Sequence, residues 1–299
     1  MYTSQRKRLR IGLISNRSHQ DPENSALVQL LRDSSAAIHY LNIEFVVVGR
    51  TLDAMTQHGL LTHCPAIERF PYGREGGLMK LVARVVESDP AKAVDAVIYL
   101  IDPVDPSSIF PEAVALKRQC VIHKKPFLAT LASAREWLEL EASAAGTPHD
   151  HSLEANFALH KEGIALIAHD AMKEKMLLLA RQHFDLLNRF AHRYATGTTG
   201  GLLNQLAQDI LGEEQGRHWV KPFLSGPLGG DAQIAELVLE KKIRRIVFLE
   251  DPHVARQHEA DIQLLERAAR TVTDFAQVLS EAEGAHRWLD CLTQRTQFV

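Results

Sequence analysis

No stretch of this sequence stays apolar for the roughly 18 to 20 residues that a membrane span requires. The apolar run IGLIS behind the basic opening SQRKRLR is also too short for the core of a secretion signal. Cysteine is scarce: Cys64, Cys120 and Cys291 are odd in number, far apart and in no C-x-x-C arrangement. That excludes a disulfide framework and a cysteine zinc site, and leaves three reduced thiols. Charge of one sign is missing as well. With 34 Lys and Arg against 37 Asp and Glu, the formal net charge of −3 gives no electrostatic ground for a nucleic-acid partner, and the basic opening reads as a solvated tail. A cytoplasmic protein with neither membrane nor nucleic acid as partner is expected.

What is present is an alternation. The β-rich runs IGLIS, EFVVVG, AVIYLID and PFLATL, and later GIALIAHD, HRYATGTT and IRRIVFLED, are separated by helical patterns. Strands joined through helices lie parallel, so the fold class is α/β, with parallel sheets covered on both faces. The two series also resemble each other. IGLISNR from Ile11 matches IALIAHD from Ile164, and YGREGGLMKLVARVVE from Tyr72 matches SGPLGGDAQIAELVLE from Ser225, both at an offset of 153 residues. VIYLIDP, ending at Pro103, parallels IVFLEDP, ending at Pro252, at an offset of 149. Similarity of this length and order points to a duplicated domain. The expected organisation is a domain over 9–138, a linker over 139–162 and a second domain over 163–299. His149, Asp150 and His151 fall in the linker, where adjacent residues make a poor closed metal-ligand set.

In the second half polar residues gather behind the strands, where open parallel sheets bind ligands. His169 and Asp170 follow one strand, with Lys173 four residues beyond His169 and hence on its face if a helix starts there; an Asp cap and a surface lysine read equally well. Thr196, Gly197, Thr198 and Thr199 precede the apolar run LLNQLAQDIL. Hydroxyls and open N–H groups at a helix start make a phosphate cradle, without the Walker spacing or its lysine. In LSGPLGGDAQ, Ser225 and Gly226 can hydrogen-bond an anion, and Gly229 and Gly230 let backbone approach closely. Asp231 then opens a helix, either as its cap or as a base aimed at the ligand. Behind IVFL stand Asp251, His258, Asp261 and Arg267, a set suited to acid–base chemistry and anion binding, each of which could also decorate the surface.

The order and wording of HDAMK, YATGTTG, LSGPLGGDAQ and DP followed by H-x-x-D resemble the motifs of methylglyoxal synthase, over about residues 161–270. The resemblance implies tandem Rossmann-like three-layer (αβα) domains. It implies conversion of dihydroxyacetone phosphate to methylglyoxal and inorganic phosphate, with no metal and no organic cofactor. Carried onto these positions, it gives Lys173, Thr196, Gly197, Thr198, Thr199, Ser225, Gly226 and Arg267 to the phosphate. Asp231 becomes the base, His169 and His258 bind the carbonyl and hydroxyl oxygens, and Asp170, Asp251 and Asp261 shape the field around them. The alternative is a regulatory module of the same fold that senses a phosphate or nucleotide without turnover, for which a placed base has no use.

The first half lacks this chemistry. In register, Asn16, Arg17 and Leu78 replace His169, Asp170 and Asp231, while Gly76 and Gly77 are kept. A non-catalytic copy is expected. Because the turn survives with Leu78, capping alone does not account for Asp231. Members of the family form homohexamers, so a two-domain chain is expected to be a homo-oligomer, a trimer or a hexamer. The family also carries a closing apolar strand and a tail arginine that reaches a neighbouring subunit. Here acids stand where that strand would run, with Arg295 the last arginine, so the inter-subunit contact is not expected to carry over.

Overall fold

The computed structural model describes residues 8–60, 66–147, 151–253 and 259–296. Cys64, His149, Asp150, His258 and the basic opening residues 1–7 therefore lie outside the described residues. The chain forms two compact units, 1–149 and 150–299.

In the first unit β1 (Arg10–Ser15) is followed by α1 (Ala26–Asp33), α2 (Ser35–Tyr40), β2 (Glu44–Val48), α3 (Gly49–Gln57), β3 (Ala66–Phe70), α4 (Gly77–Val86), β4 (Ala96–Leu100), α5 (Pro111–Ile122), β5 (Phe127–Leu128) and α6 (Leu131–Ala144). The five strands are parallel, in the order β3-β2-β1-β4-β5. Successive strand residues point to opposite faces. Leu13, Phe45, Val47 and Ile98 accordingly pack with Leu27, Leu30, Met55 and Leu138 of α1, α3 and α6. Ile14, Val46, Val48 and Val97 pack on the other face with Leu81, Val85 and Leu116 of α4 and α5. Because both faces are covered, the strands read as unbroken apolar runs instead of alternating ones.

The second unit runs β6 (Gly163–Ala168), α7 (Lys173–Gln182), α8 (Phe184–Asn188), β7 (His192–Ala195), α9 (Gly197–Leu211), α10 (Glu213–Gly216), β8 (Lys221–Pro222), α11 (Gly230–Leu239), β9 (Ile243–Leu249), α12 (Glu259–Thr271), β10 (Gln277–Leu279) and α13 (Ala282–Thr296). Its strands are again parallel, in the order β10-β9-β6-β7-β8, which is the order of the first unit written from the other end. One face of β6 and β9 packs against Ile234 and Val238 of α11 and Leu265 and Ala269 of α12.

Three strands carried no readable signal. AIERF of β3 is charged, and β8 and β10 are only two and three residues long. The acids near the end of the chain do not prevent a closing strand: Gln277–Leu279 pairs in parallel with Arg245–Val247 of β9, and α13 follows it. Among its described residues the stretch 139–162 carries no strand, but α6 runs on through Ala144, and short helical turns cover His151–Phe157 and Leu159–Lys161. Those turns bear on β9. Arg245 is fully buried, ion-paired with Glu162, bonded to the Asn156 carbonyl at 2.5 Å, and its guanidinium lies 6.0 Å from the ring centres of Phe157, Phe190 and Trp288.

One buried acid makes stability depend on pH. Burial pushes the Glu281 carboxyl from 4.5 up to about 7, against the opposing pull of the Gly284 and Glu283 N–H groups. At the matching place before α6 the first unit has Thr130, which accepts from the Ser133 N–H at 3.1 Å. A raised folded-state value favours the protonated native state. The contribution is complete below the unfolded value near 4.5 and is lost as pH climbs through about 7. The loss is about 3 kcal/mol. Glu281→Thr is expected to melt higher than the parent at pH 8.5 and to close that gap by pH 5; thermal melts at the two pH values check it, and a gap independent of pH would refute it.

Candidate active site

The site forms at the carboxyl ends of β6, β7 and β9, where two helices begin side by side. Thr196 is the N-cap of α9, and its side chain makes no capping bond to its own helix. The Gly197 N–H donates to the Leu224 carbonyl at 3.0 Å, and a Cβ on Gly197 would meet the Ser225 backbone at 2.8 Å. Glycine there lets the Ser225 loop lie directly against the start of α9. Ser225 then folds the next turn onto itself, its carbonyl accepting from Leu228 at 2.9 Å and Gly230 at 3.0 Å. The turn closes through Gly229, whose φ of 98° lies in the left-handed region that favours glycine. Asp231 follows in the first turn of α11, 5% exposed, and a Cβ on Gly226 would come within 2.9 Å of its Oδ2.

These elements enclose a cavity of about 160 Å³. Of the residues singled out from the sequence, His169, Asp170, Lys173, Thr196, Thr198, Thr199, Ser225, Gly226 and Asp231 all line it. Two helix N-termini and one ammonium thus surround a small space that holds one buried carboxylate. Partial positive charge and open N–H groups at helix starts favour a phosphate or carboxylate there.

Lys173 departs from the sequence reading in detail. The turn Asp170–Met172 is a 3-10 turn and α7 begins only at Lys173, so His169 and Lys173 do not share an α-helical face. Lys173 instead bonds Asp170 at 2.5 Å, and that contact holds the exposed Asp170 carboxyl below the usual carboxylate range.

The remaining candidates sit differently. The Asp251 N–H donates to His169 Nδ1 at 2.8 Å, while the Asp251 carboxylate accepts from the His253 N–H at 2.9 Å. Arg267 is exposed on α12 and does not line the cavity. Helix α12 turns Leu265, Ala268 and Ala269 inward, which carries position 267 outward. The backbone of Asp261 belongs to α12, and its side chain lies outside the described residues, as does all of His258. Sequence reasoning missed the apolar part of the wall, Ile167, Ala168, Pro227 and Phe248. Phe248 meets His169 edge to face, with centroids 5.0 Å apart. Their signal was there, as strand-end residues and the proline of SGPLGG, but such residues carry no chemistry of their own. Among the described residues no group of three His, Cys, Asp or Glu is placed to hold a metal ion, and no helix is long and apolar enough to cross a membrane.

The first unit keeps the frame and changes the chemistry. Its Gly49 N–H donates to the Pro71 carbonyl at 3.3 Å, and Gly77 N–H to the Tyr72 carbonyl at 3.0 Å. Gly76 has a φ of 85°, and Asp102 N–H donates to Asn16 Oδ1 at 2.9 Å. Each contact repeats one of the second unit. Yet Leu78 stands where Asp231 does, and Gln20 stands where Lys173 does. The Gln20 side chain is buried, 2% exposed, and donates to the Ser15 carbonyl at 2.7 Å.

No protein-family model matches the chain. A protein named methylglyoxal synthase from Thermus thermophilus is 40% identical over 129 residues, spanning 43% of this chain and 94% of that protein. Another so named, from Caldicellulosiruptor saccharolyticus, is 44% identical over 104 residues, spanning 35% of this chain and 67% of that protein. The crystal structure of methylglyoxal synthase from Elizabethkingia anophelis is 30% identical, covering 44% of this chain and 78% of that one, with a TM-score of 0.34. Since nearly the whole of the Thermus thermophilus protein is matched within less than half of this sequence, the chain belongs to the methylglyoxal synthase family.

Proposed function

We propose that the second unit is a methylglyoxal synthase, a carbon–oxygen lyase that converts dihydroxyacetone phosphate to methylglyoxal and inorganic phosphate. One observation carries the reading: a buried carboxylate, Asp231, shares a small cavity with the donors of two helix starts and with Lys173. In this reading Thr196, Thr198, Thr199, Ser225, Gly226 and Lys173 hold the phosphate. Asp231 takes a proton from the carbon bearing the hydroxyl, and electron density moves onto the carbonyl oxygen to give an enediolate. The hydroxyl oxygen then gives up its proton and becomes the aldehyde oxygen, and the double bond shifts to the neighbouring carbon, from which phosphate leaves with the electrons of its carbon–oxygen bond. The enol that remains gains a proton on carbon and becomes methylglyoxal. His169 and His258 would bind and polarise the substrate oxygens, while Asp170, Asp251 and Asp261 would shape the field around them.

The same reading makes the chain a tandem of two Rossmann-like three-layer domains. The shared strand order and the three repeated backbone contacts support it. The first copy would be non-catalytic, since it has no acid at 78 and its Gln20 turns inward. The test is direct. The purified chain with dihydroxyacetone phosphate should release methylglyoxal and phosphate in equal amounts, and phosphate binding without any turnover would leave only a sensing module.

A further inference from the structure

The Asp251 N–H points at a ring nitrogen of His169, 2.8 Å away. A backbone amide can only donate, so Nδ1 must be the acceptor, unprotonated and with its lone pair turned to Asp251. In the neutral ring the proton then sits on Nε2. The first unit supplies an independent reading of the same position: Asn16 Oδ1 accepts from the Asp102 N–H at 2.9 Å, and neither Asn16 nor His169 can exchange that role for a donor without leaving a main-chain N–H without its acceptor. The other end of Asn16 shows what the position does next. Its amide donates to the Asp105 carboxylate at 3.0 Å and to Ser107 Oγ at 3.1 Å, so in the first unit the donor is spent on an internal oxyanion.

We propose that the Asp251 main chain locks His169 as the neutral Nε2–H tautomer, so that it meets the substrate as a hydrogen-bond donor to an oxygen and not as a proton acceptor. Asp251 is thereby a positioning residue acting through its backbone. The lock stands on geometry alone; the donor's target, an oxygen that gains negative charge in the enediolate, rests on the lyase reading above. Division of labour at the cavity follows: Asp231 is the group that accepts a proton, and His169 stabilises the charge this creates.

Imidazole nitrogen shifts of the full chain, labelled with 15N-histidine and recorded without substrate at pH 7.5, test the lock. The His169 signals are those missing from His169→Asn. A protonated Nε2 with an unprotonated Nδ1 is expected; the reverse pattern, a doubly protonated ring, or the averaged shifts of a freely exchanging histidine would overturn it. Kinetics gives a second readout. His169→Asn keeps the acceptor and an amide donor, as Asn16 does, whereas His169→Leu keeps neither. The Asn variant should retain at least about tenfold more kcat than the Leu variant at similar KM, a fraction of the roughly 100-fold that one such donor supplies. Equal kcat for the two variants counts against the donor role. Failure of the parent chain to form methylglyoxal would remove the lyase reading and leave the nitrogen shifts to decide the lock.

Discussion

Asp231→Asn is expected to lower kcat for methylglyoxal formation by about 10²–10⁴-fold, the scale for removing a placed acid–base group. Inorganic phosphate should still bind, and somewhat more tightly than to the parent, because the substitution removes a buried negative charge from the cavity that the phosphate enters. Folding should be little affected. The first unit begins α4 with Leu78 at this position behind the same Gly-Gly turn, so the turn does not depend on an acid. Turnover assays and phosphate titration of the purified variant separate the two effects. Near-normal turnover would refute the role of base, and loss of phosphate binding would mean that Asp231 is needed to build the cavity.

A methyl group at Gly230 is expected to cost at least about 2 kcal/mol and to abolish activity, because overpacking against backbone has no side chain to yield. Its Cβ would lie 1.9 Å from the Leu224 carbonyl oxygen, so the SGPLGG loop and the start of α11 must move apart, taking Asp231 with them. Gly77→Ala makes the paired control. Its Cβ would lie 2.0 Å from the Pro71 carbonyl oxygen, the same collision in the first unit. Both variants should lose stability, each melting roughly 4–8 °C lower in its own unit, but Gly77→Ala should keep its turnover. Tryptophan fluorescence tells the units apart, since Trp137 lies in the first and Trp219 and Trp288 in the second. Equal loss of activity in both variants would show that the first unit is required for catalysis.

The central strands and the polar part of the cavity wall were legible in the sequence for the same reason. Strands buried on both faces leave unbroken apolar runs, and the residues just behind those runs are the ones that parallel topology delivers to one edge. His169, Thr196 and Ser225 therefore line one cavity, although they are far apart in the chain. What could not be read was set by tertiary pairing. Gln277–Leu279 is a strand because β9 offers it a parallel partner, while three residues between Asp274 and Glu281 are too short a run to show as one in the sequence. Arg267 looked like an anion ligand because it follows Asp251, His258 and Asp261 behind IVFL; only the helical phase of α12, fixed by Leu265, Ala268 and Ala269, turns it away. The backbone acceptor role of His169 was invisible for a related reason, since it joins positions 82 residues apart.

Arg245 sets where the chain can be cut. Its charge is neutralised and bonded by Glu162 and Asn156 and lies against Phe157, all of which precede β6. A fragment starting at Gly163 would strand a guanidinium inside the sheet layer, and breaking a buried pair by removing one partner costs about 3–5 kcal/mol. The smallest piece that could carry the cavity alone must therefore begin before Asn156, so a segment that looks like dispensable spacer is instead the latch of the second unit.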